Sequence, residues 1–521
     1  MKMIRPTTVL DTGAHTRAST ATYFDAAGVM QTAAINTLRI NYNPTTLECL
    51  GALVEPAATN RLVHSCGYDN AAWGKNFITV TPNDAAVVAP DGTTTADKFE
   101  STGADSSALQ FVNIGAGISF AYNIWLRADV PFSLDLFTAY DLSGFLGGFS
   151  DVVVANITND WQRFEVTGVT PVSNTGMSVY IGGFSTFTTG ETMHVWNSQL
   201  EDGTFGTSDI ITTTAAITRA ADVITGKGLI YSSLTEADFG LYASGTTYAL
   251  GAKCIRTTST THRIYESLTA GNINHTPETS PTYWLDTGPT NKWGMFDQQV
   301  ATATTASDSI TVVLAPGRFN SLALLAVDAS VVRVQLMVGG QVVYNASVDL
   351  DSGVAVGDWY QYFYEPVYQT DAVVLTDLVD AALLDVPIYG EGTLTVTVER
   401  IGGTVALGVL VVGLYADLGL TQYQPTVGIT DYSRKDFDAF GRPDIVVRRY
   451  SKRMAAKMVL DNDKVDNTSR VLAQYRATPL VFVGADNLYT SLIVYGFIKD
   501  WEINIENYSQ SALSLSVEGL T

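Results

Sequence analysis

Cysteine is scarce in this chain. Only three of its 521 residues are cysteine, and Cys49, Cys66 and Cys254 are widely spaced without a CxxC pair. Disulfide frameworks and structural zinc sites need paired or closely spaced cysteines. We therefore expect buried free thiols rather than a disulfide framework or a cysteine-ligated metal.

Positive charge is scarce as well. The chain has 30 Lys and Arg residues against 52 Asp and Glu, which gives a net charge of −22 at pH 7. The resulting field repels polyphosphates and anionic membrane surfaces, and it offers no favourable counterion release. The composition therefore argues against nucleic acid as a partner.

Long hydrophobic runs are also missing. No stretch approaches the roughly 18 apolar residues of a membrane-spanning helix, so we expect no membrane insertion. The most apolar run, residues 405–414, has the length of a buried strand. Residues 1–6 contain no apolar core of signal-peptide length. We expect synthesis in a cytoplasm and release by assembly or lysis.

The common catalytic motifs do not occur in the sequence. It contains no GxSxG elbow, no Walker loop and no HExxH helix. The five histidines, which have no metal-ligand spacing, are His15, His64, His194, His262 and His275. Carboxylates are plentiful, so counting alone does not exclude a glycosidase pair. We expect a protein that is not an enzyme.

The residues that are abundant favour β-structure. Hydrophobic residues make up 46% of the chain and charged residues 16%, with 25 Tyr and 21 Phe. Short alternating segments between Asn, Asp, Gly and Thr clusters are typical of β-sandwiches. We predict a mainly β protein with two β-sandwich (jelly-roll-like) domains and a small C-terminal α+β module. The predicted domains are residues 1–66 (a β-hairpin module), 67–223 (a jelly roll), 224–425 (a second β-sandwich) and 426–521 (the α+β module).

Local patterns predict particular elements. Residues 20–24 and 29–33 alternate on either side of a turn that ends at Gly28, which indicates a hairpin. Asn462 and Asp463 precede an amphipathic segment that ends before Pro479, which indicates a helix. Strands are predicted in the jelly roll at residues 120–127, 161–166, 178–181 and 193–196.

Several segments resemble a module of phage tail and head-fibre proteins. They are residues 17–23, 25–28, 32–33 and 53–60. In those proteins the module precedes a jelly roll that resembles carbohydrate-binding modules. Residues 89–98, 122–128, 199–203 and 218–222 fit that continuation. The chain departs from this pattern at residues 208–211, where the family usually has a proline. Residues 357–366, 431–435, 450–453 and 495–500 resemble C-terminal modules of phage tail proteins.

The resemblance implies a virion structural protein of the tail tip, baseplate or fibre that contributes to recognition of a host-surface glycan. Its implied location is the virion tail, assembled in the host cytoplasm. Its implied partners are other virion tail proteins, further copies of itself (a trimer by analogy) and a host cell-surface glycan. Two other classes stay open: a structural spacer, collar or decoration subunit without ligand, and a capsule or cell-wall hydrolase.

Aromatic residues are the candidates for sugar binding, because sugars stack their C–H faces on flat rings. Trp73 lies in loop-like sequence and is the fairer candidate for a surface position, whereas Trp125 and Trp196 lie in mid-strand with apolar neighbours, which favours a core role. A row of tyrosines at residues 360–364 fits either a glycan or a neighbouring subunit. The candidate carbohydrate-binding residues are Trp73, Trp161, Tyr180, Tyr360, Tyr362 and Tyr364.

Two charged sets complete the candidates. Asp91, Asp97, Glu201 and Asp202 offer hard oxygen ligands for a structural calcium, although such carboxylates are common throughout the chain. No other cofactor is expected. A basic cluster near the C-terminus predicts a docking surface for an acidic neighbour or a second copy, with a solvated strand face as the alternative. The candidate docking residues are Arg434, Lys435, Arg448, Arg449, Lys452 and Arg453.

Overall fold

The computed structural model describes residues 1–6, 13–141, 146–183, 186–258, 261–351, 372–376, 392–437, 442–484, 490–505 and 507–520. The chain forms two compact units. We call residues 15–223 with 339–341 the sandwich unit, and residues 1–14 with 224–338 and 342–521 the large-sheet unit. This division is coarser than the four predicted domains, whose boundaries stay a prediction.

Strands dominate both units, which confirms the predicted β class. The first strand of the chain is Lys2–Pro6 (β1). The strands of the sandwich unit and its boundary are Ala14–Thr16 (β2), Ala21–Phe24 (β3), Met30–Ala33 (β4), Arg39–Tyr42 (β5), Cys49–Leu53 (β6), Ala58–Asn60 (β7), Gly74–Asn76 (β8), Ile78–Thr81 (β9), Asp97–Ser101 (β10), Ser107–Val112 (β11), Ser119–Arg127 (β12), Phe132–Asp141 (β13), Leu146–Ile157 (β14), Gln162–Val169 (β15), Gly176–Gly182 (β16), Thr192–Asp202 (β17), Ile217–Arg219 (β18) and Val223–Thr225 (β19).

Two five-stranded antiparallel sheets form the centre of the sandwich unit. The front sheet has the order β14-β13-β16-β11-β8, and the back sheet has the order β15-β12-β17-β10-β9. Alternate residues point inward because successive side chains of a strand face opposite sides. Phe120, Leu136, Val179 and Met193 are among the fully buried residues of the shared core. The predicted first β-sandwich is confirmed.

The hairpin β3–β4 supplies apolar residues that pack on the outer side of the back sheet. Phe24 lies edge-on to Trp125 with ring centroids 5.6 Å apart, and Met30 packs in the same cluster as Trp196. Gly28 in the hairpin turn has a φ of +73°, and a β-carbon there would lie 2.6 Å from the carbonyl oxygen of Pro44. Only glycine fits this turn. The hairpin therefore explains why Trp125 and Trp196 are core residues.

Buried ion pairs join the segment around this hairpin to the end of the sandwich unit. Asp222 accepts hydrogen bonds from Arg17 at 2.9 Å and from Arg39 at 2.6 Å. Glu55 pairs with Arg39 and with Arg219, each at 2.8 Å. These five side chains are all 5% exposed or less. We call them the ion cluster, and they bring residues far apart in the sequence into one arrangement.

Asp222 is the centre of the ion cluster. It also contacts His15, whose Nε2 lies 2.8 Å from a carboxylate oxygen, and it accepts the backbone N–H of Glu55. Burial alone would raise the pKa of Asp222, but the contacts from His15, Arg39, Glu55 and Arg17 together hold it well below its usual range. The carboxylate is therefore ionised at neutral pH.

The large-sheet unit contains the remaining elements. Its strands are Gly228–Ser232 (β20), Lys253–Thr257 (β21), His262–Ser267 (β22), Trp284–Pro289 (β23), Thr304–Ala315 (β24), Ser321–Asp328 (β25), Val331–Val338 (β26), Gln341–Asp349 (β27), Ala372–Thr376 (β28), Thr393–Asp417 (β29), Leu420–Thr421 (β30), Thr426–Asp431 (β31), Arg434–Phe437 (β32), Pro443–Val446 (β33), Tyr450–Asp461 (β34), Leu480–Val483 (β35), Ile493–Ile505 (β36) and Gln510–Gly519 (β37). Its helices are Val465–Gln474 (α1) and the 3₁₀ turns Pro277–Thr279, Asn291–Phe296, Asn462–Lys464 and Thr490–Leu492.

One 14-stranded sheet organises this unit, and β29 is its longest strand. The 25 residues of β29 pair with β24, β26, β25 and β1 along their length. They include the apolar run at residues 405–414, which was predicted to be a buried strand. The strand β1 lies between β29 and β35. The prediction places the first residues of the chain in the hairpin module, whereas the structure pairs their strand with two strands of the C-terminal half.

Two smaller features complete the unit. The predicted C-terminal helix is α1, which buries Leu472. A separate three-stranded sheet, β21-β22-β23, carries a cluster that includes Tyr248, Tyr265 and Trp284, and the sequence did not predict it.

Within the described residues, no helix is long and apolar enough to cross a membrane.

Candidate functional site

The outer side of the front sheet carries a stacked aromatic pair. Tyr180 in β16 lies opposite Phe137 in β13 and opposite Leu109 in β11. The rings of Tyr180 and Phe137 stack with centroids 4.6 Å apart and planes 11° apart. Phe137 is 2% exposed, whereas Tyr180 is partly exposed. Tyr180 is therefore the accessible ring of the pair, and partial burial raises its pKa.

Further apolar residues surround this pair on the same side of the sheet. Phe111 lies two residues along β11 from Leu109 and is 50% exposed. Val152 and Val154 in β14 are 49% and 57% exposed. Because all of them sit at outward positions of adjacent strands, they form one surface, which we call the front face. Exposed aromatic and aliphatic residues in one patch are typical of binding surfaces.

Polar groups border the front face. Asp135 lies on β13 two residues before Phe137 and opposite Val154, so its carboxylate shares the outward side. Nearby, the hydroxyl of Ser133 donates to Asn156 at 2.7 Å. A flat ring beside carboxylate, amide and hydroxyl groups is the combination that sugars bind. The front face thus has the chemistry to hold a glycan.

Trp73 is not at this surface, and the prediction that it lies on a surface loop is wrong. Its side chain is 1% exposed and packs against Tyr68 with centroids 4.7 Å apart. The indole N–H donates to the carbonyl oxygen of His64 at 3.0 Å. The ammonium of Lys75 donates to nearby carbonyl oxygens, including that of Trp73 itself. The polar neighbours that suggested a surface loop therefore serve to close a buried turn.

Trp161 is separate from the front face. Trp161 immediately precedes β15 of the back sheet, is partly exposed, and donates its indole N–H to the carbonyl oxygen of Val88 at 2.8 Å. The structure therefore does not bring Trp161 together with Tyr180. Tyr360, Tyr362 and Tyr364 lie outside the described residues.

The four predicted calcium ligands do not form one site. Asp97 accepts the backbone N–H groups of Tyr68 and Asn83, and Glu201 accepts bonds from Gln199 and Thr207. Asp202 pairs with Arg61 on the surface, and Asp91 bonds to Thr93. In the described part of the chain, no group of three or more His, Cys, Asp or Glu side chains is arranged to hold a metal. The prediction of one site is wrong because these carboxylates satisfy local donors.

The predicted docking residues lie in the large-sheet unit and differ in their local pairing. Arg434 pairs with Asp436, and Lys435 pairs with Asp431 at 2.6 Å. No hydrogen bond or ion pair engages the side chains of the other three arginines of the set within the described residues. These three arginines are Arg448, Arg449 and Arg453. Lys452 lines the same pocket as Arg449.

The three cysteines are free thiols, and the surroundings of Cys66 and Cys254 make these two poorly reactive. Burial is the largest cause that raises the pKa of Cys66 to about 12, against hydrogen bonds from Asn197 and Ser65 that lower it. Burial likewise raises the pKa of Cys254 to about 11. The thiolate is the reactive form.

We expect Cys66 to react very slowly with a maleimide at pH 8. At a pKa of about 12 the thiolate fraction is about one in ten thousand. Mass spectrometry of labelled peptides, with the protein unfolded in guanidinium as the reference, measures the rate. Equal rates for the folded and the unfolded protein would contradict the raised pKa of this partly buried thiol.

Comparison with known proteins gives no family. No protein-family model matches the chain, and no curated protein matches it. Among the solved structures that match is one of the CBM22-1 and GH10 modules of Clostridium thermocellum xylanase 10B complexed with xylohexaose. That match has 13% sequence identity, covers 28% of each chain and has a TM-score of 0.22. Tailspike protein 4 of bacteriophage CBA120 matches at 16% identity over 27% of this chain and 21% of that one, with a TM-score of 0.23.

A tandem of two family 22 modules of Paenibacillus barcinonensis Xyn10C matches at 7% identity over 68% of this chain and 96% of that one, with a TM-score of 0.22. The matches to the first two proteins span less than a third of their length. At these identities and TM-scores, none of the alignments identifies a function.

Proposed function

We propose that this protein is a bacteriophage virion component of the tail tip, baseplate or fibre, and that it binds a host-surface glycan on its front face. The observation that carries the glycan-binding part is the partly exposed Tyr180 ring, stacked on Phe137 at 4.6 Å. Phe137 fixes the orientation of the Tyr180 ring, so little side-chain entropy is lost when a sugar stacks on it.

The virion part of the proposal is supported by the resemblance of the hairpin segment and the jelly roll to phage tail modules. It is also consistent with a chain built from extended β-sheets and carrying a net charge of −22. Immunogold labelling of intact particles tests it. Label at the distal tail would support host recognition, whereas label at the collar or capsid would favour the structural-spacer alternative and overturn the proposed placement.

We expect the substitution Tyr180→Ala to weaken glycan binding about tenfold, because it removes the accessible ring of the stacked pair. Tyr180→Phe keeps the ring and should retain most of the affinity. The measurement is a glycan array with the full chain, followed by calorimetric titration of the oligosaccharide that binds best.

A matched control for this substitution is Tyr423→Ala, which removes a fully exposed tyrosine from the large-sheet unit. It should leave affinity unchanged. If Tyr180→Ala and Tyr423→Ala bind the oligosaccharide equally well, the front face is not the binding surface. Release of reducing sugar during the titration would instead support the hydrolase alternative.

A further inference from the structure

An apolar pocket lies in the large-sheet unit beside the basic cluster. Its volume is about 270 Å³. Its floor is formed by residues that belong to one hydrophobic cluster, among them Leu325, Ile493 and Tyr495. Burial raises the pKa of the Tyr495 hydroxyl to about 12, so this group stays neutral and adds no charge to the floor. The pocket therefore suits a bulky apolar side chain.

Cations stand at the edge of this pocket. Arg449 and Lys452 line it together with Tyr450, which is 55% exposed. The guanidinium of Arg449 makes no hydrogen bond or ion pair within the described residues. Burial raises the pKa of Asp297, and the charge of Arg449 is one of the smaller effects that oppose this rise. An unpaired arginine beside an apolar pocket is typical of a contact that a carboxylate completes.

A second pocket adjoins the first. It has a volume of about 440 Å³ and shares Arg449 and Leu520 with its neighbour. Its lining adds Arg448, Tyr432 and Phe497, and Tyr432 is 46% exposed. The two pockets thus make one groove, which we call the cationic groove. The floor of the first pocket is apolar, Glu518 also lines the second pocket, and Arg449 lies between the two. Arginine and aromatic residues are enriched at protein interfaces.

The charge distribution indicates what would fill the groove. Residues 434–457 contain eight Lys and Arg and three Asp, whereas the rest of the chain contains 22 Lys and Arg against 49 Asp and Glu. Outside its own basic cluster a second copy of this chain therefore carries a net charge of 22 − 49 = −27, an excess of carboxylates over cations. Such opposite charges steer association and fix its register.

We propose that the cationic groove is the contact surface for a second copy of this chain, which inserts an apolar side chain flanked by carboxylates. The contact is heterologous, because a basic groove on one copy meets an acidic segment on the next. Repetition of such a contact gives a ring where the rotation between neighbouring copies closes, and an open filament where it does not. The inference goes beyond the proposed function by naming a contact surface between copies of the chain, and it does not depend on glycan binding.

The test is the oligomeric state of the full chain, measured by size-exclusion chromatography with light scattering over a range of protein concentrations. We expect association at low salt that weakens in about 1 M salt, where the Debye length falls to about 3 Å. Arg449→Glu should raise the apparent dissociation constant about tenfold or more. Ala301→Phe, which leaves the charge unchanged at an exposed residue of the pocket lining, should also weaken association.

Arg61→Glu is the matched control, because it makes the same charge change at a partly exposed arginine that is already paired with Asp202 and lies outside the basic cluster. It should leave association within about threefold of the parent. A chain that is monomeric at every concentration, or an equal effect of Arg61→Glu and Arg449→Glu, would overturn the proposal. Glycan binding by the Arg449→Glu variant is measured in parallel. A variant that associates less but still binds glycan shows that the contact between copies and the front face are separate.

Discussion

Replacing Asp222 with alanine is expected to lower the free energy of unfolding of the sandwich unit by about 3–5 kcal/mol. The substitution leaves Arg17 and Arg39 buried without their shared carboxylate. A buried cation without a partner has lost its hydration and has no compensating interaction. Removing one partner of a buried pair therefore lowers the free energy of unfolding by more than the intact pair contributes to it. Urea unfolding, followed by hydrogen exchange of peptides from the sandwich unit, measures the change.

The chain offers a control of the same residue type. Asp202 pairs with Arg61 on the surface of the same unit, where the two side chains are 48% and 33% exposed. Asp202→Ala should cost only about 0–1 kcal/mol, because solvent screens an exposed pair. If the two alanine variants are equally stable, the ion cluster does not hold the unit together.

The ion cluster also sets a pH dependence. The folded-state pKa of Asp222 lies below its usual range, where the contacts from His15, Arg39, Glu55 and Arg17 outweigh the opposing effect of burial. A depressed carboxyl pKa contributes stability that is fully present above the unfolded pKa of about 4 and is lost as the pH falls through the folded pKa. The stability of the sandwich unit should therefore hold at pH 5 and fall below about pH 4, and Asp222→Asn should flatten that fall.

A substitution in the strand β1 is expected to have the second large effect on stability. Ile4→Ala is expected to destabilise the large-sheet unit by about 2–5 kcal/mol, because it leaves a cavity at a fully buried site. Ile4 lies opposite Tyr415 of β29 on one side and Val481 of β35 on the other. Loss of its packing should therefore be felt in both strands, and hydrogen exchange of peptides from β29 and β35 measures it.

Val447→Ala provides the comparison, because Val447 is 81% exposed in the same unit. This surface change should stay within about 0.5 kcal/mol of the parent. An Ile4→Ala variant that matches Val447→Ala in stability and in exchange would show that β1 does not lie between β29 and β35.

The parts of the fold that depend on local patterns could be predicted from the sequence. Alternation around Trp125 and Trp196 predicted strands, and the structure has both residues inside β12 and β17. The hairpin with its glycine turn and the helix before Pro479 were predicted for the same reason, since turn chemistry and helical periodicity act over a few residues.

Long-range placement could not be predicted in this way. Nothing near Ile4 in the sequence indicates that its partners are Tyr415 and Val481, because strand pairing between distant segments has no local signal. The small sheet β21-β22-β23 was missed because its short strands resemble those that the sequence predicts for a second β-sandwich over residues 224–425.

The candidate site, too, could be predicted from the sequence only in part. Tyr180 was predicted from its strand, but Phe111 and Phe137 were missed, although both occupy alternate positions of apolar strands. That alternation is a signal of a two-sided strand, yet it does not say which side faces solvent. Trp73 was misplaced for a related reason, because polar neighbours in a turn were taken as a sign of exposure.

The most direct test of the central claim is binding of the full chain to a glycan array, compared with a Tyr180→Ala, Phe111→Ala double variant of confirmed folding. We expect the parent chain to bind a defined set of glycans and the double variant to lose this signal. Absence of binding to any glycan, or equal binding by the parent and the double variant, would contradict it.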